Sequence, residues 1–442
     1  MILLAFSLFF YSFGGWRLMP IILASISMNY VAGRLLAGQR PEKTRKVIVG
    51  VAVAANLALL FVFKYLGFVT ENLHYLFPVV PVQEIVLPIG ISFYTFQGMS
   101  YTIDVFWRKA KVERNLFRLA LYIALFPQLV AGPIVRYTTV AEELRFRRES
   151  WEDFEAGAMR FLFGLAKKIL LANQFAQIAD TVFAQSPDQI SLSLAWLGVI
   201  AYTMQIYFDF SGYSDMAIGI GRMFGFHFLE NFNYPYISRS VTEFWRRWHI
   251  SLSSWFRDYL YIPLGGNRVS RGKQIRNLLI VWGLTGFWHG AAWTFLLWGL
   301  YYALLLMGER YVWKGLLERL PRVIQHVYAL VLILIGWLIF RAVDVNQIIT
   351  FLSLMFGGGT AGLWNDQTTY FLLEFRWELL VGVLASLPIK RYLEEKEGSM
   401  EETGLMPVLF RWGKVVLALG LGGLSVLSLA STGYNPFIYF QF

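Results

Sequence analysis

The chain contains no cysteine among its 442 residues. Disulfides, thiolate metal sites and a covalent thiol nucleophile are therefore excluded. Charge is also scarce, at 15% of residues, where a soluble domain carries about 25%. No hydrophilic stretch is long enough for a soluble domain, and there is no internal repeat or low-complexity tract. Histidine occurs five times. No phosphate loop, metal box or Ser-His-Asp order is present, and the glycines of 219–225 (GIGRMFG) follow no strand and make no nucleotide loop.

What fills the chain is apolar. Hydrophobic residues make up 57% and aromatics 17%, with a mean hydropathy of +0.50. Apolar segments recur from 2–14 to 408–429. Several are too short, too long or too interrupted for single spans, which predicts an all-α polytopic membrane protein of about ten to twelve transmembrane or re-entrant helices. Residues 1–15 lack the basic region and cleavage site of a signal peptide and read as a membrane helix. The net charge of +10 sits in short basic blocks between apolar runs: 40–46 (RPEKTRK), 108–118 and 145–148 (RFRR). That is the positive-inside pattern of a membrane protein, not a nucleic-acid footprint. The last two blocks flank one apolar segment, 116–134. With both on one side it cannot cross once, and its prolines and glycine suit a broken, re-entrant helix.

Four places hold polar groups that a membrane pattern does not ask for. The first is His289, in LTGFWHGAAWTFLLW (284–298). From 278 to 307 there is no Asp, Glu, Lys or Arg. As one straight helix those residues would reach about 45 Å, beyond a hydrocarbon core of about 30 Å. An imidazole there can accept a proton from a hydroxyl; a helix-packing histidine is the equal alternative. In a helix Thr285 and Trp293 would share its face, and Gly286 and Gly290 would let a substrate or another helix approach.

The second is 243–268, EFWRRWHISLSSWFRDYLYIPLGGNR. Trp245, Trp248, Leu252 and Trp255 repeat at helical spacing. Arg246 and Arg247 crowd the other side, where lipid headgroups or an anionic carrier would meet them. His249 falls near the edge of the apolar face, a position that is more often structural. The third is 205–225. Asp209 lies inside an apolar run with Gln205 and Tyr213 four residues away, and needs a partner, an aqueous cavity or a proton. Asp215 is closer to the run's end, where a structural ion pair, with Arg222 or Arg246, and catalysis are equal alternatives. The fourth is the loop 230–240, whose Asn231, Asn233 and Pro235 are explained by loop and capping chemistry. His74, His227 and His326 lie near segment ends.

Together, FPQLVAGPIVRY (126–137), the blocks spanning 205–268, LTGFWHGAAWTFLLW (284–298) and the closing STGYNPFIYFQF (431–442) resemble the membrane-bound O-acyltransferase (MBOAT) family. The resemblance is closest to its bacterial branch, the membrane subunits of alginate O-acetyltransferases and their relatives. It covers nearly the whole chain, as one domain over 1–442. It implies a ring of tilted helices around a central funnel, with His289 catalytic and His249 the second family histidine. Asp209, Asn233, Trp245, Arg246, Trp248, Ser251, Trp288 and Trp293 would bind donor or shape the site. His249, Asn233 or an indole N–H would serve as oxyanion donor. The resemblance implies no metal and no bound cofactor. The donor would be a cytoplasmic thioester, most simply acetyl-CoA, with a carrier-protein thioester as in D-alanyl transfer the alternative. The acyl group would leave towards an extracytoplasmic polysaccharide through an exported SGNH-hydrolase-type acetyltransferase, at a bacterial cytoplasmic (inner) membrane. Relatives of this branch begin with a further apolar helix before the stretch resembling 3–15. The rival readings are a proton-coupled carrier using Asp209, Asp215 and His289, and a scaffold that only recruits the exported transferase.

Overall fold

The structure, a computed structural model, describes residues 1–398, 405–432 and 435–438. Of the closing stretch, 433–434 and 439–442 lie outside the described residues. Every regular element among the described residues is helical. Among the described residues four helices are long and apolar enough to cross a membrane: Trp16–Leu36, Glu42–Leu76, Arg322–Arg341 and Met406–Ser431. They keep much of their apolar surface on the outside, as lipid-facing helices do.

The centre is built differently. Helix Leu192–Met223 runs for 32 residues, about 48 Å at the α-helical rise. It packs along Trp151–Ala166. A side chain at Gly157 would strike the Gly219 carbonyl, and one at Gly164 the Gly212 carbonyl. Small residues seven apart on both helices thus let two backbones touch, the usual solution where lipid offers no hydrophobic drive for association.

Three π-helical turns interrupt the helices, at Phe61–Tyr65, Lys167–Ala172 and Arg257–Tyr261. Such turns are rare and concentrate at functional sites. Two of them carry a lysine whose side chain is drawn into the protein, Lys64 and Lys168.

The segment 116–134 is broken as its prolines require. Helix Leu116–Ala124 stops at Leu125, a four-residue turn Phe126–Leu129 follows, and no helix resumes before Tyr137. Its two flanks meet. The Glu113 carboxylate accepts from Tyr137 Oη (2.9 Å) and lies 3.5 Å from Arg145. The two ends of the broken segment therefore lie side by side.

Candidate active site

The run 278–307 is not one helix. Arg271–His289 ends at the histidine, Gly290 is extended, and Trp293–Tyr311 starts after Ala292. The two helices form a hairpin whose backbones touch. A side chain at Gly286 would meet the Phe295 carbonyl, and one at Gly299 the Trp282 carbonyl. Gly286 and Gly290 therefore serve helix packing, since a Cβ at Gly290 would meet the Phe295 ring.

A helix end leaves carbonyls without intrahelical donors. Here helix Glu42–Leu76 supplies them from its π-helical turn. Lys64 Nζ donates to the carbonyls of Trp288 (2.6 Å) and His289 (3.2 Å), and Tyr65 Oη to that of Phe287 (2.9 Å). A cation at a helix C-terminus is also favoured by the macrodipole. His289 is only 6% exposed. Its ring lies 5.0, 5.1 and 5.3 Å from those of Trp288, Trp298 and Phe340, each nearly perpendicular. The imidazole also lies within electrostatic reach of Lys64 and His249.

The expected helix over 243–268 breaks at the second histidine. Val241–Arg247 ends before Trp248, and Ile250–Phe256 begins after His249, whose φ is +43°. That left-handed conformation is uncommon for a residue with a Cβ, and clusters at functional sites. Its effect is to turn His249 away from the edge of the helix and into the core, where it is 1% exposed. Asn231 Oδ1 lies 3.1 Å from His249 Nδ1 and accepts from Ser251 N (3.2 Å) and Ser251 Oγ (2.8 Å). Asn231 Nδ2 donates to Ser214 Oγ (3.0 Å). With that amide orientation, assigned from the network, Nδ1 carries the proton and Nε2 the lone pair. Glu309, buried on the hairpin's second helix, holds the start of Val241–Arg247. Its carboxylate accepts from Val241 N (2.6 Å) and Thr242 N (2.8 Å), two donors that a helix start leaves open.

Of the residues singled out in the sequence, the structure gathers most around Trp288. That indole lies 6.1 Å from His249 and 5.0 Å from His289. Trp245 and Trp248 join the same aromatic mass, 5.5 Å from Trp298 and 4.7 Å from Trp337. Ser251 links Asn231 to Ile134 N (3.0 Å), tying the loop, the second histidine and the broken segment together. One expectation is corrected, and three further residues or groups are placed. Trp293 does not share a face with His289, because the helix breaks between them; it is 56% exposed and donates to Asn72. Asn233 is exposed and meets Arg247 through its backbone, and it is Asn231 that bonds His249 and Ser251. Arg246 is exposed on the outer side of its helix.

The carboxylates are ion-paired, with partners other than those suggested by the sequence. Asp209 pairs with Lys168 (2.6 Å) and accepts from Ile438 N (2.9 Å), anchoring the 435–438 segment. Asp215 pairs with Arg160 (2.8 Å) and Lys167 (2.6 Å). Neither pairs with Arg222, which bonds Asp153, nor with Arg246. Lys64, Asn231 and Glu309 went unassigned. The signal for Lys64 was in view: a lone cation within the apolar run 47–68.

A cavity of about 100 Å³ opens beside His289, lined by Lys64, Pro88, Ser92, Phe93, Trp288 and His289 among others. The Trp288 Nε1–H is buried and has no acceptor among the described residues. The described residues thus make a helical membrane protein with two buried histidines around one indole and a small cavity beside one of them. The chain belongs to the membrane-bound O-acyltransferase family, whose profile matches residues 107–342. It is an O-acyltransferase. It is 38% identical to a protein of Azotobacter vinelandii named "Probable alginate O-acetylase AlgI", over all of this chain and 94% of that one. It is 34% identical to the peptidoglycan O-acetyltransferase of Helicobacter pylori over 79% of this chain and 72% of that one. It is 30% identical to the teichoic acid D-alanyltransferase of Bacillus subtilis over 58% of this chain and 66% of that one.

Proposed function

We propose that this chain moves an acetyl group from a cytoplasmic thioester, acetyl-CoA, towards a hydroxyl acceptor outside the bacterial cytoplasmic membrane. An exported SGNH-type acetyltransferase then places the group on a polysaccharide. His289 is the general base. The acceptor oxygen attacks the thioester carbonyl as its proton passes to the His289 imidazole. The C–O bond forms, the C–S bond breaks, and the leaving thiolate takes the proton back. A positioned base of this kind contributes about 10²–10⁴-fold. The Trp288 N–H is the oxyanion donor that the cavity offers. His249, with its Nδ1 proton committed to Asn231, presents a lone pair at Nε2 and so acts as acceptor and orienting group.

The observation that carries this reading is the shared cavity of His289 and Trp288. Its wall includes 87–93, part of the connection between helices Glu42–Leu76 and Ile91–Phe106. Their far ends adjoin the basic blocks 40–46 and 108–118. By the positive-inside rule those blocks are cytoplasmic, so the cavity faces the other side. The acetyl and polysaccharide assignments follow the names of the most similar relatives. No observation favours the carrier: both acidic residues it needs are neutralised by basic partners.

The test is CoA release from acetyl-CoA by the purified protein in lipid vesicles, with and without the exported transferase, beside His289→Ala. Release that needs His289 is expected. A folded protein that releases no CoA, or releases it equally without His289, overturns the reading.

A further inference from the structure

The acyltransferase family contains relatives that move a neutral acetyl group and others that move D-alanyl, which carries an ammonium on its α-carbon. A site of this kind must tell the two apart. We propose that Lys64 is the residue that does so here, making the His289 cavity selective for uncharged acyl groups and against aminoacyl ones. The proposal rests on the reading of this cavity as the acyl-transfer site.

Three observations carry it. Lys64 Nζ has three acceptors: Trp288 O at 2.6 Å, His289 O at 3.2 Å and Ser92 Oγ at 3.2 Å. An ammonium has three N–H donors for these three contacts, and a helix C-terminus favours a cation. All three acceptors are neutral, and among the described residues no carboxylate pairs with the nitrogen. Its positive charge is therefore held in place by dipoles, including the end of helix Arg271–His289, and is not cancelled. Finally, Lys64, Trp288 and His289 wall the same cavity of about 100 Å³. An acyl group held against His289 in so small a space lies close to the ammonium.

The consequence differs for the two kinds of substrate. An acetyl carbonyl becomes more negative as the tetrahedral intermediate forms, so a fixed positive charge nearby favours it. A D-alanyl group brings its own cation. At an effective dielectric of about 20 and a separation of about 5 Å, like-charge repulsion amounts to roughly a hundredfold penalty. Because its N–H donors are all engaged, Lys64 acts through its charge and through the helix end that it holds. It is a specificity and positioning residue.

The experiment compares D-alanyl-CoA with isobutyryl-CoA, which replaces the ammonium by a methyl of similar size. The full chain is used in lipid vesicles with whichever acceptor supports release from acetyl-CoA. The readout is the ratio of the two kcat/KM values for CoA release; where turnover is too slow, it is the ratio of their inhibition constants against acetyl-CoA. The wild type should prefer isobutyryl by about tenfold or more, equivalent to about 1.4 kcal/mol. Lys64→Met should shrink that preference several-fold, and Lys64→Arg should keep it. Ser92→Asp retains the lysine and places a carboxylate beside it, so it should shrink the preference even if Lys64→Met fails to fold. A wild type that handles both thioesters alike overturns the proposal, as does a preference unchanged in the folded substitutions. Absence of His289-dependent release from acetyl-CoA is a separate result, and it strikes the acyl-transfer reading itself.

Discussion

Two regions of this protein bury polar side chains, and they do it by opposite means. Along helix Leu192–Met223, charge meets charge: Asp209 with Lys168, Asp215 with Arg160 and Lys167. Around the hairpin tip, a cation meets only carbonyls and a hydroxyl, and the histidines are surrounded by aromatic rings and an amide. In the first region each ionised group ends close to neutral, which is the condition for holding helices together in a low-dielectric interior. In the second region the cation is met by dipoles and not by an opposite charge, beside a cavity. Electrostatic preorganisation needs that arrangement, because fields cancelled by a partner cannot act on a substrate. Burial alone therefore does not mark a site; the way the burial is balanced does.

That contrast can be broken by mutation, starting at the hairpin tip. His289→Ala should lower acyl transfer by about 10²–10⁴-fold while leaving the protein monodisperse in detergent. An equal loss of melting temperature would put His289 among the structural groups. The opposite signature belongs to Lys168→Met. It strands a buried carboxylate and should cost about 3–5 kcal/mol of stability. In a combined Lys168→Met and Asp209→Leu variant most of that loss should return, read by thermal unfolding in the same detergent. If the double variant is no better than the single, the pair is not merely structural.

Asn231→Ala lies between the two classes. It removes the acceptor shared by His249 and Ser251, and should cost about 1–3 kcal/mol of stability. Activity should fall further than stability, because the His249 tautomer is no longer fixed; an unchanged rate per folded molecule would contradict that. The smallest effect is expected at the exposed end of helix Trp151–Ala166. There the Arg222 hydrogen bond, with that of Ser150, holds the Asp153 carboxyl below its ordinary value. A depressed carboxyl contributes stability above its unfolded pKa, near 3.9, and loses it as pH falls through the folded value. The melting difference between wild type and Arg222→Gln should thus be present at neutral pH and vanish in acid. A difference that grew in acid would reverse the assignment.

Much of this was legible in the residues. Apolar runs, basic blocks and prolines sufficed for a helical membrane protein with a re-entrant segment at 116–134, because those features act locally and the bilayer permits few answers. His289 stood out as a lone imidazole in an uncharged run. Trp293 misled, because periodicity assumes an unbroken helix and the break at Gly290 is set by packing against Phe295. His249 looked like an edge residue for the same reason. Its left-handed turn is imposed by what surrounds it: Asn231 from a loop, and Glu309 from another helix. Lys64 was visible but mute, since a lysine in an apolar run can face lipid headgroups, a carboxylate or a cavity.

The sequence by itself thus determined the class of fold and the family, and it singled out the histidine proposed here as the general base. These depend on composition, short-range pattern and motifs contiguous in the chain. Only the tertiary structure decided which polar groups share a cavity and which cancel each other. That depends on contacts between residues as distant as Lys64 and His289, or Lys168 and Pro436. Whether a buried charge acts on a substrate is set by its nearest partner in space, and one helical turn of displacement is enough to change that partner.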